Sequence, residues 1–263
     1  MSMGHQPPFA AAADQPFSAL VTGASSGIGL AMLQQLLDDS RLSVVFAVSR
    51  SASRSEVLRP LRETHGERLV LLDADMTDEG DLEKLRDKVS LRSETLDWVI
   101  NAAGMLHAAD LQPEKSLEHV SMVNLERIFA LNAFAPILLA KALMPMLCHG
   151  QAAVFASLSA RVGSIGDNRS GGWYAYRASK AAQNQLMKTF AIELARRNRS
   201  ACCLLLHPGT VDTPLSAPFQ ARVPAENLFT TDRAATQMLE IIAGSSSADT
   251  GRFIAWDGTD IPW

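Results

Sequence analysis

The chain has 263 residues, 47% of them hydrophobic and 20% charged, and a formal net charge of −4. That length lets about three quarters of the unfolded chain's surface be buried, enough for a sheet covered on both faces. The near-balanced charge, with no basic block, argues against nucleic acid or an anionic membrane surface as the main partner.

In chain order, residues 1–16 hold Pro7, Pro8 and a short alanine run, without the basic start and long apolar stretch of a signal peptide. A mobile tail is expected there. Strand-like runs follow at Phe17–Thr22, Leu42–Ser49, Arg68–Asp73, Leu96–Asn101, Ala152–Ser157, Ala201–His207 and Arg252–Ala255. Several are nearly continuous in Val, Leu, Ile and Ala, the pattern of strands covered on both faces. Helical patterns lie between them, among them Gly29–Leu37, Glu79–Leu91 and Tyr176–Arg197. The apolar run Ile128–Leu147 carries Asn132, Pro136, Lys141 and Pro145, which predicts a buried helix and not a membrane span. This alternation predicts an α/β fold: a doubly wound, parallel, Rossmann-type sheet of about seven strands with helices on both faces. No repeat, linker or composition break divides residues 17–263, so one domain is expected.

Three cysteines, two of them adjacent at Cys202 and Cys203, suit neither a disulfide framework nor a zinc site. Neighbouring strand residues point to opposite faces, so the adjacent pair is poorly placed to bond. Buried thiols of a cytoplasmic protein are the expectation. The six histidines lack metal-ligand spacing, and no metal is expected.

Thr22-Gly23-Ala24-Ser25-Ser26-Gly27-Ile28-Gly29 joins the first strand to an apolar helix. Glycines here allow a tight turn and bring backbone N–H groups to a pyrophosphate at the helix N-terminus. The bland alternative is a glycine-rich turn kept for steric reasons alone. At the end of the second strand, where such a sheet reads the adenosine ribose, stand Val48-Ser49-Arg50, with no acid to hold two ribose hydroxyls. Arg50 is then a candidate partner for a 2′-phosphate, favouring NADP(H) over NAD(H), unless it is an ordinary solvated arginine.

Tyr176-Arg177-Ala178-Ser179-Lys180 places a tyrosine and a lysine one turn apart on one helix face. A free tyrosine titrates near ~10, and a neighbouring ammonium stabilises its phenolate and lowers that value.

Four motifs in order resemble those of classical short-chain dehydrogenases/reductases, from about Phe17 to the C-terminus. They are Thr22–Gly29, Asn101-Ala102-Ala103-Gly104, Tyr176 with Lys180, and Pro208-Gly209-Thr210-Val211-Asp212-Thr213. Gly171–Lys180 and the ending Asp257–Trp263 resemble the C-factor/sniffer-like carbonyl reductase branch. The resemblance implies an NADPH-dependent oxidoreductase that moves hydride between nicotinamide and a small-molecule carbonyl or alcohol. It implies that Tyr176 is the general acid/base, that Lys180 holds the nicotinamide ribose, and that Asn132 orders a proton-relay water. The alternative is an asparagine satisfied within a helix contact.

By the same resemblance, Gly23, Ser25, Ser26, Gly27, Ile28 and Gly29 cradle the cofactor, and Asp75 with Met76 flanks the adenine. Asn101, Ala102 and Gly104 support the cofactor-side turn, while Pro208, Gly209, Val211 and Thr213 lie at the nicotinamide end. The family's carbonyl-polarising serine falls on Ser159 when counted along the strand from Ala152, and on Ala160 when counted back from Gly163. Ser159 precedes Tyr176 by 17 positions, longer than is usual in the family. Ser159 is favoured over Ser157, and the choice between them stays open.

Trp173, Tyr174 and Trp256 either line a pocket or fill a core edge. Specificity is expected to lie in Pro214–Thr230. The resemblance also implies a homodimer or homotetramer, with Leu117–Leu147 and Tyr176–Arg197 as the candidate interface helices. A second reading keeps the fold as a dinucleotide-binding signalling protein with little turnover. The set Asn132, Tyr176 and Lys180 argues against it, since a pure binder has no chemical need of all three. A third reading, an extended sugar-nucleotide epimerase or dehydratase, calls for a larger C-terminal substrate domain.

Overall fold

The computed structural model describes residues 15–263; of the expected tail, residues 1–14 lie outside the described part. The strands are β1 (Phe17–Thr22), β2 (Leu42–Ser49), β3 (Leu69–Asp73), β4 (Trp98–Asn101), β5 (Ala153–Leu158), β6 (Ala201–His207), β7 (Thr210–Val211), β8 (Leu228–Phe229) and β9 (Arg252–Ala255). Seven form one sheet in the order β3-β2-β1-β4-β5-β6-β9, with every neighbouring pair parallel. The short strands β7 and β8 pair separately. The order reverses between β1 and β4, so the carboxyl ends of these two strands open a crevice, where doubly wound sheets take ligands. Thr22 stands in register with Asn101 across it.

The α-helices are α1 (Gly27–Asp38), α2 (Leu58–His65), α3 (Glu79–Ser90), α4 (Met122–Phe129), α5 (Ala135–Leu147), α6 (Tyr174–Arg197) and α7 (Thr231–Gly244). Side chains of α3, α5 and α6 pack on one face of the sheet, those of α1, α2 and α7 on the other. Strand β6 shows why its sequence is apolar throughout. Cys203 and Leu205 enter the first core, while Cys202, Leu204 and Leu206 enter the second. The two adjacent cysteines thus lie in different layers.

Several elements differ by a residue or two from expectation, β5 among them as Ala153–Leu158, and β4 and the apolar helix differ for plain local reasons. β4 starts at Trp98 and not Leu96, because the Leu96 N–H is drawn off to the Met146 carbonyl at 3.0 Å. The next carboxylate, Asp97, takes the Ser18 N–H at 2.7 Å. The apolar helix begins at Met122 and passes through one π-helical turn, Ala130–Phe134, before α5. Pro136 follows this turn inside the continuous helix, where it has no N–H to donate back to it. The combined helix is long and apolar enough to cross a membrane, yet half of its apolar window is buried in the fold. Leu139, Leu143 and Leu147 share a core with Met187 and Phe190 of α6.

Candidate active site

The turn after β1 is shaped by what a side chain would strike. Gly23 and Gly27 have left-handed φ of 66° and 54°. A Cβ on Gly23 would lie 3.0 Å from the Ala102 backbone, and one on Gly29 would collide with the Gly23 carbonyl. The turn therefore packs directly on the Ala102-Ala103-Gly104 segment after β4. Thr213 reaches it from beyond β7, since a Cβ on Gly27 would lie 3.3 Å from Thr213 Cγ2. Ser26 occupies the N-cap of α1 without a side-chain cap bond, which leaves the helix's first N–H groups open to an anion.

At the end of β2, Ser49 Oγ is buried with no hydrogen-bond partner among the described residues. Arg50 beside it is exposed and forms no ion pair among them. Asp75 spends one carboxylate oxygen on the N–H and hydroxyl of Thr77, at 2.9 and 2.7 Å. Met76 is buried with Leu72 and Leu82 in the core. An uncapped helix start, a cradle that any Cβ would fill and an orphaned hydroxyl beside a free guanidinium together suit a phosphorylated dinucleotide.

The catalytic candidates gather at the head of α6. Trp173, just before it, adopts a left-handed φ of 52°, costly for a bulky residue. Its N–H donates to the Glu114 carbonyl at 2.6 Å, and the buried Glu114 carboxylate accepts the Ala175 N–H at 3.2 Å. This anchor starts the helix at Tyr174, two residues before the predicted start, and turns Tyr176 and Lys180 inward, 8% and 3% exposed. Lys180 Nζ lies 5.9 Å from the centre of the Tyr176 ring. It donates to the Leu158 carbonyl at 3.0 Å and to Gln183 Oε1 at 2.9 Å. Burial lowers the Lys180 pKa to about 7 and pushes the Tyr176 phenol above its ordinary value. Desolvation thus outweighs the depression of the tyrosine pKa expected from the neighbouring ammonium.

Asn132 sits fully buried in the π-helical turn, the kind of helical irregularity common at functional sites. Its Oδ1 accepts the Met105 N–H at 2.8 Å, and its Nδ2 donates to the Met105 carbonyl at 2.7 Å and to Ser179 Oγ at 3.1 Å. It clamps the loop after β4 to α6. A Cβ on Gly104 would lie 3.5 Å from Asn132 Oδ1 and 3.7 Å from Lys180 Nζ.

The two serines differ. Ser157 Oγ is enclosed, accepting from Asn101 Nδ2 at 2.9 Å and Gln183 Nε2 at 2.8 Å. Asn101 therefore ties β4 to β5 and, through Thr22 Oγ1 at 2.7 Å, to β1. Ser159 Oγ donates to Asn184 Oδ1 at 2.6 Å, while Asn184 Nδ2 is buried without a partner among the described residues. Gly163 presses on the lysine's turn of α6, because a Cβ there would lie 2.8 Å from Lys180 Cβ. Ala160 between them is half-buried.

Beside Tyr176, Trp173 makes an edge contact at 6.2 Å between ring centres and another to Phe219 at 5.0 Å. His107 completes the row, 5.8 Å from Phe219. Trp173 is thus at the site, and Phe219 lies in the expected specificity segment. Trp256 packs against Phe229, and Tyr174 is exposed. Gly209, with φ of 84°, leaves room for the Phe229 ring below β7, where Val211 pairs with Phe229. His207 at the end of β6 is half-buried, with its pKa lowered to about 4 by desolvation. Glu114, Gln183 and Asn184 were missed in the sequence; each has a partner at least 25 positions away, and Gln183 holds the nearby Lys180 as well.

The fold is of the doubly wound, Rossmann-like class. The short chain dehydrogenase family model matches residues 18–223, and the chain belongs to that family. It is 32% identical to the 1-hydroxy-2-glutathionyl-2-methyl-3-butene dehydrogenase of a Rhodococcus species, across 93% of this chain and 98% of that protein. It resembles the NADPH-bound carbonyl reductase from chicken fatty liver, with a TM-score of 0.82 and 28% identity, covering 95% of this chain and all of that one. The carbonyl reductase Sniffer of Drosophila melanogaster gives a TM-score of 0.83 at 25% identity with the same coverage.

Proposed function

We propose that this chain is an NADPH-dependent carbonyl reductase acting on a small organic carbonyl. The observation that carries the reading is the buried Tyr176–Lys180 pair, set at the head of α6 beside the crevice where the strand order reverses. When bound, the reduced nicotinamide supplies hydride to an electrophilic carbon. The open start of α1 and the turn of Gly23 and Gly27 would hold the pyrophosphate, with Ser49 and Arg50 at the 2′-phosphate and Asp75 by the adenine. Ala102, Gly104, Pro208, Gly209, Val211 and Thr213 would line the nicotinamide side.

Tyr176 donates its phenolic proton to the carbonyl oxygen as the carbon gains hydride, giving an alcohol and a phenolate. Burial keeps the phenol protonated at neutral pH, the form this acid needs. Lys180 stabilises the phenolate so formed and keeps one N–H for the ribose. Asn132 holds the loop after β4 in place against α6, and a relay water would meet the second lone pair of its Oδ1 or its main chain. Ser159 polarises the carbonyl once its proton is released from Asn184. A half-turn of the Asn184 carboxamide would turn Nδ2 onto Ser159 Oγ and free that proton.

A panel of carbonyl compounds followed by NADPH absorbance tests the reading, with consumption of at least one class expected. Tight NADPH binding without consumption of any carbonyl would instead favour the dinucleotide-binding signalling role. The bond from Ser159 to Asn184 is the observation on that side. The exposed apolar side chains Leu117, Met122, Val123 and Phe134, all within the expected interface segment, support a homodimer or homotetramer, and a monomer by light scattering at micromolar concentration would contradict it.

A further inference from the structure

Gln183 lies one turn beyond Lys180 on α6 and is fully buried. Its Oε1 accepts from Lys180 Nζ at 2.9 Å, and its Nε2 donates to Ser157 Oγ at 2.8 Å and the Leu158 carbonyl at 3.2 Å. Ser157 in turn accepts from Asn101, and Asn101 accepts from Thr22. Lys180, Gln183, Ser157, Asn101 and Thr22 thus form one hydrogen-bonded row from α6 through β5 and β4 to β1. All five are 3% exposed or less. The row ends where Thr22 Oγ1 accepts the Ala103 N–H, at 3.4 Å, directly before the glycine turn.

A buried polar row is costly unless its members are paired, and an apolar side chain at 183 would carry no such obligation. The carboxamide oxygen points at the ammonium, which has three donors and no acceptor. The Leu158 carbonyl takes one donor and Gln183 takes a second, so the direction of the third is set by the protein.

We propose that Gln183 is a positioning residue for Lys180, fixing its ammonium so that the remaining N–H is presented to the nicotinamide ribose. The ligand at that N–H rests on the NADPH reading above; the anchor itself does not. Through Ser157 and Asn101 the same carboxamide ties the lysine to the strand that carries the phosphate-binding turn. The two ends of the cofactor site are thereby held in one rigid frame.

Two substitutions separate the acceptor from mere filling of space. Gln183→Met keeps the volume and loses the acceptor; Gln183→Glu keeps an oxygen facing Lys180. NADPH affinity is read by quenching of protein fluorescence, and the anchor independently by the 1H–15N correlation of the Lys180 ammonium at pH 6 without nucleotide. Gln183→Met should weaken NADPH about tenfold or more, the size of one hydrogen bond to a charged group, and lower kcat with KM for the carbonyl little changed. It should also shift or erase the Lys180 correlation. Gln183→Glu should keep that correlation and bind NADPH within about threefold of the parent. Parent-like behaviour of Gln183→Met, or equal losses in both variants at unchanged melting temperature, overturns the proposal. Should Gln183→Met not fold, Gln183→Glu decides alone, and loss of its Lys180 correlation overturns the proposal. A parent that binds no NADPH defeats the cofactor reading, while the correlation still tests the anchor.

Discussion

The two sides of the β1/β4 crevice hold their functional groups by opposite means. On the β1–β2 side the site is mainly backbone, a glycine turn and open N–H groups at the start of α1, with the exposed Arg50 side chain at its edge. On the β5–α6 side it is buried side chains, with Ser159 and Lys180 tied across to partners between β5 and α6 and Tyr176 packed among Trp173 and Lys180. The first side is spoiled by adding an atom, the second by removing one. The largest expected effects display that difference. Tyr176→Phe removes a single oxygen and should lower kcat by at least ~10²–10⁴-fold with NADPH affinity nearly unchanged. Gly29→Ala adds a single carbon against the Gly23 carbonyl and should act mainly on NADPH affinity. Fluorescence titration beside initial rates distinguishes the two. If Gly29→Ala loses turnover but keeps affinity, the contrast is wrong.

Cofactor choice tests the backbone side at its one charged group. A hydrogen bond to a charged group contributes about 1.5–3 kcal/mol, or about 10- to 150-fold in affinity. Arg50→Ala should weaken NADPH by that factor and leave NADH almost unaltered, at fixed ionic strength because exposed charges are screened. An unchanged NADPH-to-NADH ratio would remove Arg50 from the site.

This contrast also explains what could be read from the sequence. Strands β1, β2, β6 and β9 were legible to the residue because parallel strands covered on both faces are apolar without interruption. The glycine turn and the spacing of Tyr176 and Lys180 are local patterns, visible within eight residues. Gln183 stands only three positions from Lys180, but what turns its carboxamide to the lysine is Ser157, 26 positions away, and Glu114 acts on Ala175, 61 positions away. The left-handed Trp173 and the π-helical turn at Asn132 carry no local signal either, being imposed by the loops they meet. The choice between Ser157 and Ser159 stayed open for the same reason.

Substituting those two serines is the next test, with a smaller expected effect. Ser159→Ala should lower turnover about tenfold or more, since one donor to the developing oxyanion is lost. Ser157→Ala should act less on turnover and more on stability. It leaves Asn101 Nδ2 without its buried acceptor, at a cost of about 1–3 kcal/mol by chemical denaturation. Equal, small losses of turnover at both positions would mean that neither serine polarises the carbonyl.

The smallest expected effect is in stability against pH, and it should belong to the side-chain half alone. Lys180 titrates at about 7 in the ligand-free fold because burial disfavours its charge, and near ~10.4 in the unfolded chain. Between those values the unfolded chain binds more protons, so stability rises with pH across that window. Below pH 7 the fold bears the cost of a buried ammonium; above it the cost is progressively relieved. His207, lowered to about 4, makes its own rise below pH 6.5 and is finished before this window. Cys202, pushed up to about 12, and Tyr176, also raised, act in the opposite sense once their unfolded forms ionise, near ~8.5 and ~10. Over pH 7 to 8.5 the lysine contributes a gain of about 1–2 kcal/mol, offset in part as the unfolded forms of Cys148, Cys202 and Cys203 begin to ionise, and the difference between the parent and Lys180→Met isolates it. Urea denaturation of the parent and of Lys180→Met at both pH values measures it. Gly29→Ala should keep the parent's rise, and Lys180→Met should lose it. Parallel curves for the parent and Lys180→Met would show that the lysine is not desolvated as its burial indicates.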